Sequence, residues 1–99
     1  MAISPRLERR IRRDFPEPGS APEIMRLIDE LPDTAGYGAE HFASERVQAA
    51  IVLIAQGSAH RLREAVRLAI TDWRDLLIAA ELAHESWPDR LRAELGPRT

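Results

Sequence analysis

Residues 49–55 read Ala-Ala-Ile-Val-Leu-Ile-Ala, seven consecutive apolar positions in a stretch without glycine or proline, closed soon after by Gly57-Ser58. Such a run between helix-forming residues predicts a helix covered on nearly all sides by the rest of the protein. That helix is expected to begin at about residue 39 or 40 and to end at Gln56, with His41, Glu45, Gln48 and Gln56 as its polar stripe and Gly57 as its left-handed stop. Every other segment reads as an amphipathic helix packed around it.

Ser4-Pro5 pairs an N-cap residue with proline at the first helical position, and Leu7, Ile11 and Phe15 follow at i, i+4 and i+8. Pro16-Glu17-Pro18-Gly19 ends that helix in a stiff connector. Ser20-Ala-Pro-Glu23 has the spacing of a capping box, and Ile24, Leu27, Ile28 and Leu31 line one face of the helix it would open, up to Pro32. Residues 33–38 form a loop with Tyr37 between two glycines. After the central helix, Ser58 caps a segment to about Ile70, with Leu62, Ala65, Val66 and Ala69 facing inward and His60, Arg63, Glu64 and Arg67 facing out.

Thr71-Asp72 opens a further helix with a hydroxyl cap and a carboxylate at the positive end of the dipole. From Trp73 to Ala83 only Arg74, Asp75 and Glu81 interrupt the apolar residues, so this helix and its neighbour are both expected to be largely covered. Ser86-Trp-Pro-Asp89 repeats the capping-box spacing, and Trp87, Leu91 and Leu95 form a last stripe before Gly96-Pro97. No period-two alternation occurs. The fold class is all-α, a compact bundle of five or six short helices around the central apolar one.

Composition narrows the chemistry. Ninety-nine residues make one helical domain, of which residues 1–19, a basic helix with its proline-rich connector, either dock on the body or extend as an arm. The chain has no cysteine and no lysine, all fourteen basic residues being arginine, which removes disulfides, thiolate nucleophiles, Schiff-base chemistry and phosphate-loop lysines. That usage, with fifteen alanines and no asparagine, fits the coding bias of a GC-rich genome. The apolar run is far too short to span a bilayer, and arginines stand where a signal peptide needs its hydrophobic segment, so a cytoplasmic location is expected.

The strings Glu45-Arg-Val-Gln-Ala-Ala50, Thr71-Asp-Trp-Arg-Asp-Leu-Leu77, Ser86-Trp-Pro88 and Glu94-Leu-Gly96 resemble small uncharacterised helical proteins of GC-rich bacteria. The resemblance covers the C-terminal half and implies no activity.

Candidate sites are few. Glu81 and His84 have the Glu-x-x-His spacing of helical-bundle metal ligands, but without a second copy of the motif they imply a surface pair unless two chains combine. His41 with Glu45 and His60 with Glu64 are i, i+4 surface pairs. Asp72 and Asp75 lie in a first helical turn, where the dipole favours the ionised form, the wrong direction for a general acid. Four of the five serines precede helices and none sits in a nucleophile elbow. No catalytic, cofactor-binding or metal-binding residue is therefore assigned.

Net charge is −2, yet residues 1–20 hold five arginines against three acids. Arg6, Arg9, Arg10 and Arg13 share one broad helix face and are the anion or nucleic-acid candidates. Trp73, Trp87, Tyr37 and Arg46 are the candidates for contact with another protein chain, tryptophan and arginine being enriched at such contacts. The reading that follows is a non-enzymatic helical interaction or regulatory module whose partner is another protein chain, a second copy of itself included. An accessory nucleic-acid-binding protein is the alternative, and a metal-binding dimer a third. No cofactor is expected.

Overall fold

Serine and proline at the start of the chain do what their order predicts. Ser4 is extended (φ −63°, ψ 150°), and its hydroxyl accepts from the Leu7 amide at 3.3 Å, opening helix α1 (Pro5–Asp14). The computed structural model describes residues 3–30 and 45–97, and within them it contains α1 and four further helices, with no strand. These are α2 (Ser20–Asp29), α3 (Glu45–Ala55), α4 (Ala59–Ala79) and α5 (Trp87–Leu95). Tyr37, His41 and the expected start of the central helix lie outside the described residues.

Helix α3 is the hub. Val47, Ala49, Ala50, Ile51, Val52 and Ala55 are at most 1% exposed, and its largest contact is with α4. Alanines at 49, 50 and 55 carry almost no side-chain volume, which lets neighbouring helices approach closely while the β-branched residues fill the gaps. The expected polar stripe fails at Gln48, which is 1% exposed. The helix is enclosed around Gln48, which is therefore buried as a polar residue, and no buried side-chain nitrogen or oxygen among the described residues lacks a partner.

The other stripes pack as their spacing requires. Leu7, Ile11 and Phe15 of the first stripe are buried, and α1 packs against α2, α3 and α5. Ile24 and Ile28, Leu62, Ala65 and Ala69, and Leu91 and Leu95 bury the inward faces of α2, α4 and α5. The radius of gyration, 12.4 Å, is that of a folded chain of this length.

Two capping boxes are absent. At Ser20 the chain enters through Gly19 at φ +84°, and the Ser20 amide already donates to Glu17 O at 3.0 Å, so Ser20 is the first helical residue and makes no cap. Ser86 sits near helical geometry (φ −85°, ψ 12°) and makes no side-chain cap; its carbonyl accepts from the Asp89 amide instead. An N-cap side chain reaches the N3 amide only from an extended backbone, and neither serine has one.

The two helices expected on either side of residue 71 meet at a kink in α4, where Asp72 leaves helical geometry (φ −158°, ψ 89°) and a new helical segment begins. The cap is the Asp72 carboxylate rather than the Thr71 hydroxyl: its Oδ1 accepts from the amides of Arg74 at 3.1 Å and Asp75 at 3.3 Å. Helix α4 then ends without a glycine. Glu81 adopts φ +59°, its amide donates to Ile78 O, and the Leu82 amide donates to Leu77 O, which buries Leu82 against Leu77 in a Schellman turn.

Candidate protein-interaction surface

Arginine 46 and Trp87, expected at a contact with another chain, meet each other. The Arg46 Nε–H donates to Leu82 O at 2.9 Å, and the guanidinium lies 4.9 Å from the centre of the Trp87 ring. Burial pushes the Arg46 pKa down, the ring and the carbonyl standing in for the carboxylate it lacks. Together they brace α3 against the turn before α5. Trp87 is half-buried against the core, and this pair is internal structure.

Trp73 is also half-buried, at the start of the second part of α4, with the Arg74 guanidinium 5.3 Å from its ring centre. It is flanked along the helix by the two large hydrophobic residues most exposed among those described, Ile70 at 52% and Ile78 at 63%. The expectation that residues 73–83 are largely covered is corrected here. Leu76, Leu77, Ala80 and Leu82 turn inward, but Ile78, Ala79 and Ala83 are exposed, the helix stopping at Ala79 and no described element covering its outer side.

Arg63, Arg67 and Ile70 follow one another at helical spacing before the kink at Asp72, Arg74 and Ile78 do so after it, and all are exposed. Round the edge of α4, Ile54 of α3 and Ala65 and Leu68 of α4 floor an open, mainly apolar hollow of about 530 Å³, rimmed by His60, Arg61 and Glu64. His60 and Glu64 form the expected exposed i, i+4 pair at 2.6 Å. Neither Ile70 nor Ile78 is among the interaction candidates that the sequence offers. Their signal was available only as position, since each lies on the arginine row and off the Leu62–Ala65–Ala69 inward row.

The basic face of α1 is spent from within. Arg6 is 7% exposed; its Nε donates to Glu45 Oε2 at 2.8 Å, its Nη2 to Oε1, and its Nη1 to Gly96 O at 3.1 Å. The hydrogen bond to Glu45 pushes the Arg6 pKa up, outweighing desolvation. Glu45 also accepts from the Ser4 hydroxyl, so it joins the α1 cap; its expected pairing with His41 lies outside the described residues. Arg10 binds Asp14 Oδ2 at 3.0 Å and both the carbonyl and carboxylate of Glu94, at 2.8 and 3.2 Å. Arg9 and Arg13 remain at the surface, and the four arginines line a shallow depression of about 130 Å³ together with Glu94.

Glu81 and His84 do not share a helix face: both follow the end of α4, and Glu81 occupies the left-handed turn position. Among the described residues no group of three histidine, aspartate or glutamate side chains is placed to hold a metal ion. No described helix is long and apolar enough to cross a membrane. No protein-family model, curated protein or solved structure matches the chain, so the functional reading rests on its own geometry.

Proposed function

We propose that this chain is a cytoplasmic, non-enzymatic helical interaction or regulatory module that presents the outer side of α4 to another protein chain. The observation that carries the reading is the exposure of Ile70 and Ile78 on either side of Trp73, in a protein whose other large aliphatic side chains are mostly folded away. Leaving two isoleucines in water forgoes roughly 1–2 kcal/mol of burial each, and a partner would recover it. Scattered apolar residues are ordinary on a protein surface, but two exposed isoleucines flanking a half-buried tryptophan near an apolar hollow have the layout of a contact.

The test is a comparison of capture from native extract by the wild-type chain and by the Ile70→Glu/Ile78→Glu variant. The module reading predicts a discrete bound protein, a copy of the chain included, that the variant loses. Identical recovery by both, or no specific protein with either, contradicts it.

A second reading, accessory nucleic-acid binding, draws on the arginine-lined depression of α1. It is the weaker one, because Arg6 and Arg10 already satisfy Glu45, Asp14 and Glu94. Nucleic acid carried through purification and shed as salt rises would favour it.

A further inference from the structure

Two adjoining hollows lie beside the end of α3, and their linings differ in chemistry. The first is the apolar hollow floored by Ile54, Ala65 and Leu68. The second, of about 260 Å³, is largely polar, bordered by Gln56, Arg61, Glu81 and Arg90 with Leu53 and Ile54 as its apolar part. Ile54 and Arg61 line both, so the two make one groove, greasy at one end and polar at the other, with a guanidinium at the join.

The charges of the groove single out Arg61. His60 stands 2.6 Å from Glu64, and Arg90 approaches Glu81 at 3.7 Å and Glu94 at 3.5 Å. Arg61 is exposed and makes no ion pair among the described residues. Its Nη1 donates to the neutral Gln56 Oε1 at 3.0 Å, which leaves its charge unmatched and most of its N–H donors unused. Gln56 makes that contact from a left-handed backbone, φ +48°, a conformation rare for such a side chain and found disproportionately at ligand clamps.

We propose that the groove binds a medium-chain fatty carboxylate, with its head on Arg61 and its tail along Ile54, Ala65 and Leu68. A carboxylate fits the guanidinium fork through two parallel hydrogen bonds. An alkyl tail covers the apolar floor, each methylene withdrawn from water adding to affinity. No described phenylalanine, tyrosine or tryptophan lines the groove to stack on a ring, which favours an aliphatic tail. Glu64 and Glu81 border the two ends and disfavour a head group of higher negative charge. The proposal goes beyond the α4 reading and is independent of it, since neither Ile70 nor Ile78 lines the groove.

The test is a titration of the full, isotope-labelled chain with octanoate, octan-1-ol and acetate, read by amide NMR shifts at about pH 7, where the carboxylates are ionised. Octanoate should bind with a Kd on the order of 1 mM, the scale for about ten non-hydrogen atoms in an open site, and should shift the amides of Ile54, Arg61 and Leu68. Octan-1-ol keeps the tail and acetate keeps the charge, and each should bind at least about tenfold more weakly. Arg61→Gln should lower octanoate affinity to that of octan-1-ol and leave octan-1-ol unchanged, a split that general loss of structure would not produce. Octan-1-ol binding as tightly as octanoate overturns the head-group assignment, and so does octanoate affinity untouched by Arg61→Gln. Shifts confined to residues outside the groove, or no binding of octanoate at all, overturn the site itself. The Ile70→Glu/Ile78→Glu variant should bind octanoate as the wild type does, so this proposal and the module reading fail separately.

Discussion

Two residues in left-handed backbone show how position outweighs identity. Gly57 follows α3 at φ +80°, and a β-carbon built there would stand 3.1 Å from the carbonyl oxygen of Asp14. Gly57→Ala is therefore penalised twice, by the backbone conformation and by the close approach of the α1 terminus, and should destabilise the protein by about 1–2 kcal/mol in denaturant titration. Glu81 occupies the equivalent position after α4 at φ +59°, but it is an L-residue bearing strain in an exposed turn. Glu81→Gly should change stability in the opposite direction, by about +0.5 kcal/mol, since relief of strain exceeds the extra entropy of an unfolded glycine. The lost Arg90 contact, long and solvent-exposed, contributes next to nothing.

At the scale of elements, α1 is held by grease and by largely buried ion pairs to α3 and α5. Leu7 and Ile11 are fully covered, while Arg6 and Glu45 join α1 to α3 with side chains 8% and 22% exposed. Removing one partner leaves the other charge poorly solvated, so Arg6→Ala should cost about 2 kcal/mol, less than a fully buried pair because Glu45 keeps some water. Arg6→Met combined with Glu45→Leu should cost less than Arg6→Ala alone, and thermal unfolding of the two variants checks this. Since the Arg6 pKa is raised on folding, its contribution is complete at every pH below the ordinary arginine value and is lost only above it; stability measured between pH 6 and about 9 should show no step from this group.

The elements also show what a sequence exposes to reading. Stripes at i, i+3 and i+4 identified the buried faces of α1, α2, α4 and α5, because burial follows helical period whatever the partner. The two missing capping boxes turned on the backbone entering the helix, and the pattern Ser-x-x-Glu is silent about whether Gly19 has already begun the turn. The end of α4 was hidden because Glu81 makes a glycine's turn. Arg46 could be seen to need a partner on an apolar face, but that the partner is the Leu82 carbonyl and the Trp87 ring depends on how α3 and α5 meet, which no local spacing encodes. The ion pair from Arg6 to Glu45 is legible only after the fold is known, for the same reason.

In the molecule as a whole, the described apolar side chains fall into two sets. Those of α3 and the faces around it are enclosed and hold the fold; Ile70 and Ile78 are outside it, available to a partner. The division is most directly tested by thermal unfolding of the Ile70→Glu/Ile78→Glu variant beside the wild-type chain, at protein concentrations low enough to keep both monomeric. If the two isoleucines lie outside the core, the variant should melt within about 0.5 kcal/mol of wild type, as surface substitutions do. A loss of about 3 kcal/mol or more, the scale of a damaged core, would place both side chains inside the bundle and contradict the account.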